Sequence, residues 1–281
     1  MLVLAVVFAV LGAASNATGT VLQRRAALAV PDADAMSARM VSQLLRQPVW
    51  VLGILGVTCA ALFQALALNT GPMVLVQPVF VLELPLAMLL SIPLLRQGLS
   101  RQGWLAVGAM VAGLALFLAA AAPGAGTTQA PMRHWIPALA VCCGAMALLT
   151  VAALRRPSGV VRAACLGFAA AIGNALTAAL MKSATHTLDD VGLGAFLTTW
   201  QTYGFAAAGI ASVFLLENAL QAGPLIASQP ALTLGDALVS LALSLTLFSE
   251  PVRTGWWLLP EAAGLALVTA GVVGLSRLRR D

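Results

Sequence analysis

Long apolar runs without a single charged side chain most constrain what this chain can fold into. Six runs lack Lys, Arg, Asp and Glu, and they cover residues 49–82, 102–132, 134–154, 163–181, 191–216 and 218–235. An apolar stretch of about 18 residues or more is long enough to cross a bilayer as a helix. The runs are continuous and rich in Leu and Ala, without the period-2 alternation of barrel strands, so they predict an all-α membrane protein.

Nine membrane-spanning helices follow from these runs and their polar boundaries. The predicted spans are 2–22, 49–69, 72–95, 102–122, 134–154, 161–182, 194–216, 222–248 and 255–276. We expect the first to remain a span rather than to be cleaved as a signal peptide, because no charged segment precedes its apolar core. Only 9% of the residues are charged, against about 25% in a soluble domain, so a water-facing globule is excluded.

The basic residues indicate how the spans are oriented. If the N-terminus faces outside, twelve of the fifteen Lys and Arg residues fall on the cytoplasmic side, and the exceptions are Arg133, Lys182 and Arg253. This positive-inside bias predicts an outside N-terminus and an inside C-terminus. The net charge of +5 therefore reports orientation and does not indicate a nucleic-acid partner. Lys182 is expected to snorkel to the membrane interface.

A spaced motif, Gly-Pro followed by four residues and Gln-Pro, occurs twice in the chain. The copies are GPMVLVQP at 71–78 and GPLIASQP at 223–230, 152 residues apart. Each Gly-Pro lies between two predicted spans, where its glycine is expected to supply the unusual backbone angles of a tight turn. The flanking sequence also matches, since RQGW at 101–104 corresponds to RTGW at 253–256 at the same offset.

The repeated motif predicts two copies of a four-helix unit. NATGTVLQR, which begins at Asn16, resembles NALTAALMK, which begins at Asn174, so the first four spans pair with the last four. Paired spans are five apart, an odd number, and the copies therefore cross the membrane in opposite directions. We predict a first repeat at 1–125, a linker helix at 126–157 and a second, inverted repeat at 158–281. Inverted repeats are typical of secondary transporters.

Two stretches carry a resemblance to a known family: LRQPVWVLGILGVTCAALFQALALNTGPMVLVQP (45–78) and LLENALQAGPLIASQPALTLGDALVSLALSLTLFSE (215–250). They resemble the drug/metabolite transporter superfamily and, within it, the NIPA-type magnesium transporter family, and the similarity runs over about 3–276. The resemblance implies transport of Mg²⁺ or another divalent cation. Arginine greatly outnumbers lysine and alanine is abundant, which favours a bacterial plasma membrane as the location. Common superfamily members have ten spans, whereas residues 26–47 of this chain are too polar to span.

Three acidic residues, Glu83, Asp236 and Glu261, lie well inside predicted spans. An acid at the centre of a membrane helix costs about 2.5–3.5 kcal/mol, so such residues usually face protein or water and are functional candidates. Glu83 and Asp236 occupy nearly equivalent positions of the two copies. We predict that they bind substrate, act in proton coupling and ligate the metal if the substrate is Mg²⁺, which uses one or two carboxylates. Glu261 is either a coupling residue or a partly hydrated structural acid.

Other polar residues are predicted to line the same path. The eighth span carries one polar stripe, which comprises Gln229, Thr233, Asp236, Ser240 and Ser244. Gln77 and Gln229 each precede a proline that leaves a backbone carbonyl without its helical donor. Asn16 and Asn174 are the corresponding polar residues of the first and sixth spans. For all of these side chains, substrate binding and interhelical hydrogen bonding remain alternatives.

These features predict a secondary transporter that exposes a midplane site alternately to each side. A proton-coupled exporter of a small organic metabolite or drug is the alternative. We expect no enzyme, because Leu234-Gly235-Asp236 lacks the first glycine of the Gly-x-Gly-Asp protease motif, and no zinc or serine motif occurs. A scaffold subunit would not need buried acids. No cofactor is expected, the partners are the lipid bilayer and the solute, and a homodimer stays open.

Overall fold

The computed structural model describes residues 2–27, 47–95, 98, 100–124, 126–223 and 225–278. All regular structure within these ranges is helical, which confirms the predicted all-α class. Most of the polar stretch 26–47, predicted not to span, lies outside the described residues, and so does Pro224 of the second Gly-Pro motif.

Eleven α-helices form the described part of the chain. In order they are α1 (Leu2–Ala27), α2 (Pro48–Thr70), α3 (Met73–Phe80), α4 (Glu83–Leu95), α5 (Arg101–Ala121), α6 (Met132–Leu154), α7 (Val160–Val191), α8 (Leu193–Thr198), α9 (Trp200–Ala222), α10 (Leu225–Leu247) and α11 (Leu258–Leu278). With α3 and α4 counted as one segment, nine stretches among the described residues are long and apolar enough to span a membrane. The protein is thus a multi-pass membrane protein, as predicted.

The sixth and seventh spans differ from their predicted limits. The sixth span was expected to end at 182, but α7 continues to Val191 and reaches 32 residues. At 1.5 Å per residue that is about 48 Å, longer than a hydrocarbon core of about 30 Å. Residues 183–191 are largely polar but contain no Pro or Gly, so the helix continues until Gly192, whose φ is 100°. The seventh span therefore begins at Trp200 rather than at 194.

The third span is interrupted in its interior. Helix α3 ends at Phe80 and α4 begins at Glu83, and the turn between them is closed by bonds from Val81 N to Pro78 O (3.1 Å) and from Leu82 N to Val79 O (3.0 Å). Pro85 has no N–H to donate to Val81 O, which accepts from Leu84 N at 3.2 Å instead. The break thus lies between the two prolines.

Helix α7 lies at the centre of the molecule. It is the most buried of the nine spans and packs against α2, α3, α6, α9 and α10. Helix α1 packs against α2, α3 and α4, and α5 packs against α11. Helix α3 also contacts α10, so the broken span adjoins the helix that carries Asp236.

The two hairpin glycines are required for space rather than for backbone angle. Gly71 has φ −150° and Gly223 has φ −177°, both ordinary extended values, so the expectation of unusual angles is wrong. A Cβ on Gly71 would lie 2.4 Å from Cβ of Ala5, and a Cβ on Gly223 would lie 3.0 Å from Cβ of Ala163. Each hairpin therefore presses against α1 or α7, where only glycine fits.

Candidate functional site

Glu83 is the first residue of the half-helix that follows the break in the third span. The side chain of Asn16 on α1 lies beside its carboxyl group, and both residues are partly buried. The first N–H groups of α4 are bonded to the turn before it, since Leu84 N donates to Val81 O at 3.2 Å and Leu86 N donates to Leu82 O at 3.0 Å. The break thus places an acid and a helix N-terminus together inside the membrane.

Asp236 has a similar environment on the unbroken helix α10. Its Oδ1 accepts a hydrogen bond of 3.2 Å from Nδ2 of Asn174 on α7. Asn174 is the one exposed residue between positions 162 and 188, although its neighbours Gly173 and Ala175 are buried. The Asn174 side chain is thus accessible at the point where it meets the partly buried Asp236.

The two asparagines were predicted as path-lining residues, but their pairing with the acids was not. Sequence spacing does not show which faces of two distant helices meet. Glu83 and Asp236 each have an asparagine partner, and no group of three or more His, Cys, Asp or Glu side chains suited to a metal occurs among the described residues. Binding of a metal by these two carboxyl groups alone stays a prediction.

The glutamines of the repeated motif differ in their surroundings. Gln77 is 1% exposed, and its Nε2 has no hydrogen-bond partner among the described residues. Gln229 is partly exposed. Thr233 is buried and, together with Pro78 and Ala237, lines a cavity between α3, α5, α10 and α11. The predicted path-lining role of these residues stays a prediction.

The remaining polar groups of the stripe and Glu261 are enclosed. Ser240 and Ser244 are buried, and Ser244 Oγ donates to the Ser240 carbonyl at 2.7 Å. Glu261 is 6% exposed, and its Oε1 finds no partner in the described part of the chain. Its role as a coupling residue stays a prediction.

A buried ion pair between Lys182 and Glu250 was missed by the sequence analysis. Lys182 is 3% exposed and Glu250 is 0% exposed, so the expectation that Lys182 snorkels to the interface is wrong. Glu250 also accepts backbone hydrogen bonds from Met73 N (2.8 Å) and Val74 N (3.0 Å), which lie at the start of α3. One signal was present in the sequence: Lys182 is the single lysine of a chain that otherwise uses arginine.

Comparisons with known proteins identify a distant relative. No protein-family profile matches the chain, and no solved structure matches it. An uncharacterized protein of Corynebacterium glutamicum is 26% identical over 280 residues, which cover 98% of this chain and 95% of the relative. The match extends over almost all of both chains but assigns neither a family nor a substrate. The resemblance to NIPA-type transporters therefore stays a prediction.

Proposed function

We propose that this protein is a transporter of the plasma membrane that moves a small solute or cation by alternating access. The observation that carries the proposal is a pair of asparagine–carboxyl contacts inside the spans, Asn16 with Glu83 and Asn174 with Asp236. Buried acids of this kind usually mark ion or substrate pathways. A purely structural protein, or an enzyme without a nucleophile or metal site, would have no use for them.

Repeated contacts support two inverted units that meet around the site. The hairpin glycine Gly71 abuts Ala5, and Gly223 abuts Ala163, which follows Ala5 by the same 158 residues that separate Asn16 from Asn174. The packing partners also repeat, since α1 packs on α2 and α4 as α7 packs on α9 and α10. Two such units can rock about a fixed site and expose it to one side at a time.

A cation is the favoured substrate. In the described residues the ion pair of Lys182 and Glu250 is the one salt bridge, so neither Glu83 nor Asp236 is neutralised by a basic side chain. Their partners are amides, which leave the charge of an ionised carboxyl group available to a ligand. Mg²⁺ keeps several of its waters and needs one or two carboxylates, and the resemblance to NIPA-type transporters points to the same ion or another divalent cation.

Proton-coupled export of a small organic metabolite or drug is the second candidate. The broken third span favours it, since interrupted helices hold both substrates and coupling ions in secondary transporters. Here Glu83 or Asp236 would carry the proton, and Glu261 is a third candidate because it is buried in α11. A pH gradient would then drive transport, whereas cation transport would follow the gradient of the cation.

Uptake into proteoliposomes tests both candidates. The purified protein is reconstituted and assayed with Mg²⁺, Mn²⁺ and Co²⁺, with and without an imposed pH gradient. Glu83→Gln and Asp236→Asn are each expected to lower the initial uptake rate by about tenfold or more, since about 1.4 kcal/mol of lost binding corresponds to tenfold. Glu217→Gln, on the exposed surface of α9, is the matched control and is expected to leave uptake unchanged. Normal uptake by both site variants would refute the proposed site.

A further inference from the structure

The ion pair of Lys182 and Glu250 joins three separate parts of the molecule. Glu250 follows the end of α10, Lys182 lies on α7, and the two backbone N–H groups bound by Glu250 begin α3. The ammonium group of Lys182 also lies 4.7 Å from the ring centroid of Phe248. The pair therefore couples the broken third span to the sixth span and to the end of the eighth, without a covalent link.

Residues 126–131, which lie between α5 and α6, cover this pair. Thr127 N donates to the carbonyl of Phe248 at 2.6 Å, and Gln129 Nε2 donates to the carbonyl of Ser183 at 2.9 Å. Gly126 leaves no room for a side chain, because its Cβ would lie 2.2 Å from Phe248 O. The predicted outer face contains the start of α3, the ends of α7 and α10 and this segment. That face is therefore closed over the pair.

Equivalent residues of the two proposed repeats show that the two ends differ. Gln77, towards the predicted outer face, is 1% exposed, whereas its counterpart Gln229, towards the predicted cytoplasmic face, is partly exposed. Ser244, near the outer end of the stripe, is 0% exposed, while Asn174 beside the central Asp236 is exposed. A path between the repeats would therefore be closed at the outer end, while Asn174 and Gln229 along it remain accessible.

The carboxyl group of this ion pair occurs in only one of the two repeat copies in the sequence. The position that corresponds to Glu250 at the 152-residue offset is Gly98, so the second end has no carboxyl group there. A buried ion pair is not needed for stability as such, because apolar residues of similar volume often replace one without loss. Its placement at one end of the path suggests a function in opening and closing.

We propose that Lys182 and Glu250 form the outer gate of the transport path, an inference that rests on the proposed function. In the structure the pair is intact, and we infer that the site opens to the cytoplasm. Opening to the outside separates Glu250 from Lys182 and from the start of α3, and both charged groups then become hydrated. Gln77, whose amide has no partner in the closed state among the described residues, gains water at the same time. Lys182 and Glu250 are positioning residues that set the balance between the two states.

Thiol labelling from the outside tests the gate without measuring transport. The four cysteines are replaced by alanine, and Ser244→Cys introduces a thiol of nearly the same size behind the gate. A membrane-impermeant methanethiosulfonate is added to spheroplasts, and the labelling rate is measured. Glu250→Gln is expected to raise the rate by about tenfold, which corresponds to about 1.4 kcal/mol against the closed state. An unchanged rate would overturn the proposal.

Three controls separate gating from damage to the fold. Thr254→Cys places an exposed thiol on the same face. Its labelling rate is expected to be the same whether residue 250 is Glu or Gln. Glu217→Gln removes an exposed acid elsewhere and is expected to leave Ser244→Cys labelling slow. If Glu250→Gln does not reach the membrane, the doubly neutral variant Lys182→Gln, Glu250→Gln provides the measurement, with the same expected increase.

The labelling experiment tests the gate, the uptake experiment tests the transport function, and either can fail without the other. Faster labelling, with uptake that does not depend on Glu83 or Asp236, would support the gate and refute the proposed site. Unchanged labelling, with uptake lost in Glu83→Gln, would refute the gate and leave the transporter intact.

Discussion

At the scale of single residues, an asparagine amide beside each central acid replaces part of the hydration that the acid loses in the membrane. A buried polar group is costly unless it is hydrogen-bonded, and the cost is larger for a charge. Asn174 supplies such a bond to Asp236, and the Asn16 side chain lies beside Glu83. Because an amide carries no net charge, it supports the carboxyl group without competing for a cationic ligand.

Removal of this support at Asp236 is expected to impair transport. A hydrogen bond to a charged group contributes about 1.5–3 kcal/mol, so Asn174→Ala should lower the initial uptake rate by about tenfold. Asn218→Ala is the matched control, because the Asn218 amide donates to the Phe214 carbonyl of its own helix at 2.7 Å. Rates are compared at equal amounts of reconstituted protein. Equal uptake by the two variants would contradict a role for Asn174 at the site.

At the scale of helices, small residues allow α5 and α11 to approach closely. A Cβ on Gly113 would lie 2.6 Å from the carbonyl of Gly264, and a Cβ on Gly264 would lie 2.7 Å from the carbonyl of Gly113. Helices in membranes associate mainly through such tight packing, because lipid tails are as apolar as the side chains. The cavity beside Thr233 is bounded by this pair of helices, so their contact helps to shape it.

A single methyl group at this contact is expected to destabilise the protein. Gly113→Ala should cost about 1–3 kcal/mol through overpacking and lower the melting temperature in detergent. Gly108→Ala on the same helix meets no atom within 4 Å and should be neutral or slightly stabilising, since alanine is the better helix former. Thermal unfolding followed by size-exclusion chromatography measures both. A melting temperature for Gly113→Ala equal to that of Gly108→Ala would show that the contact tolerates the methyl group.

At the scale of the whole molecule, polar side chains are buried to different extents along the path between the two faces. One end encloses the ion pair of Lys182 and Glu250 together with the amide of Gln77. At the centre, Asn174 is exposed, and Glu83 and Asp236 are only partly buried. The distribution of basic residues predicts that the closed end faces outside. The gate and the inward-facing interpretation both depend on this orientation.

The predicted orientation can be measured with two thiols in the chain without native cysteines. Ser158 lies between α6 and α7, Thr254 lies between α10 and α11, and both are exposed. With an impermeant maleimide, Thr254→Cys is expected to react in intact cells, and Ser158→Cys only after permeabilisation, because basic loops remain in the cytoplasm. The reverse pattern would invert the molecule and assign the ion pair to the cytoplasmic end.

The sequence by itself predicted nine membrane spans with Glu83 and Asp236 inside them, and the described residues contain nine stretches long and apolar enough to cross a membrane. Both properties follow from the free energy of transferring each segment into lipid, which depends on composition and length and needs no knowledge of neighbours. The transfer free energy does not determine how far a helix continues through polar residues. For that reason the extension of α7 to Val191 was not predicted.

Only the tertiary structure decided which side chains meet. Asn174 and Asp236 are 62 residues apart in the chain, and Lys182 and Glu250 are 68 apart. Their contacts depend on the rotation and depth of whole helices, which are determined by small packing contacts such as that of Gly71 with Ala5. Pro78 and Pro85 have no backbone N–H, and the break after Phe80 reflects which carbonyls the N–H groups between them bond to. Apolar composition drives each helix into the membrane, whereas the fit between helices selects the partners of its few polar groups.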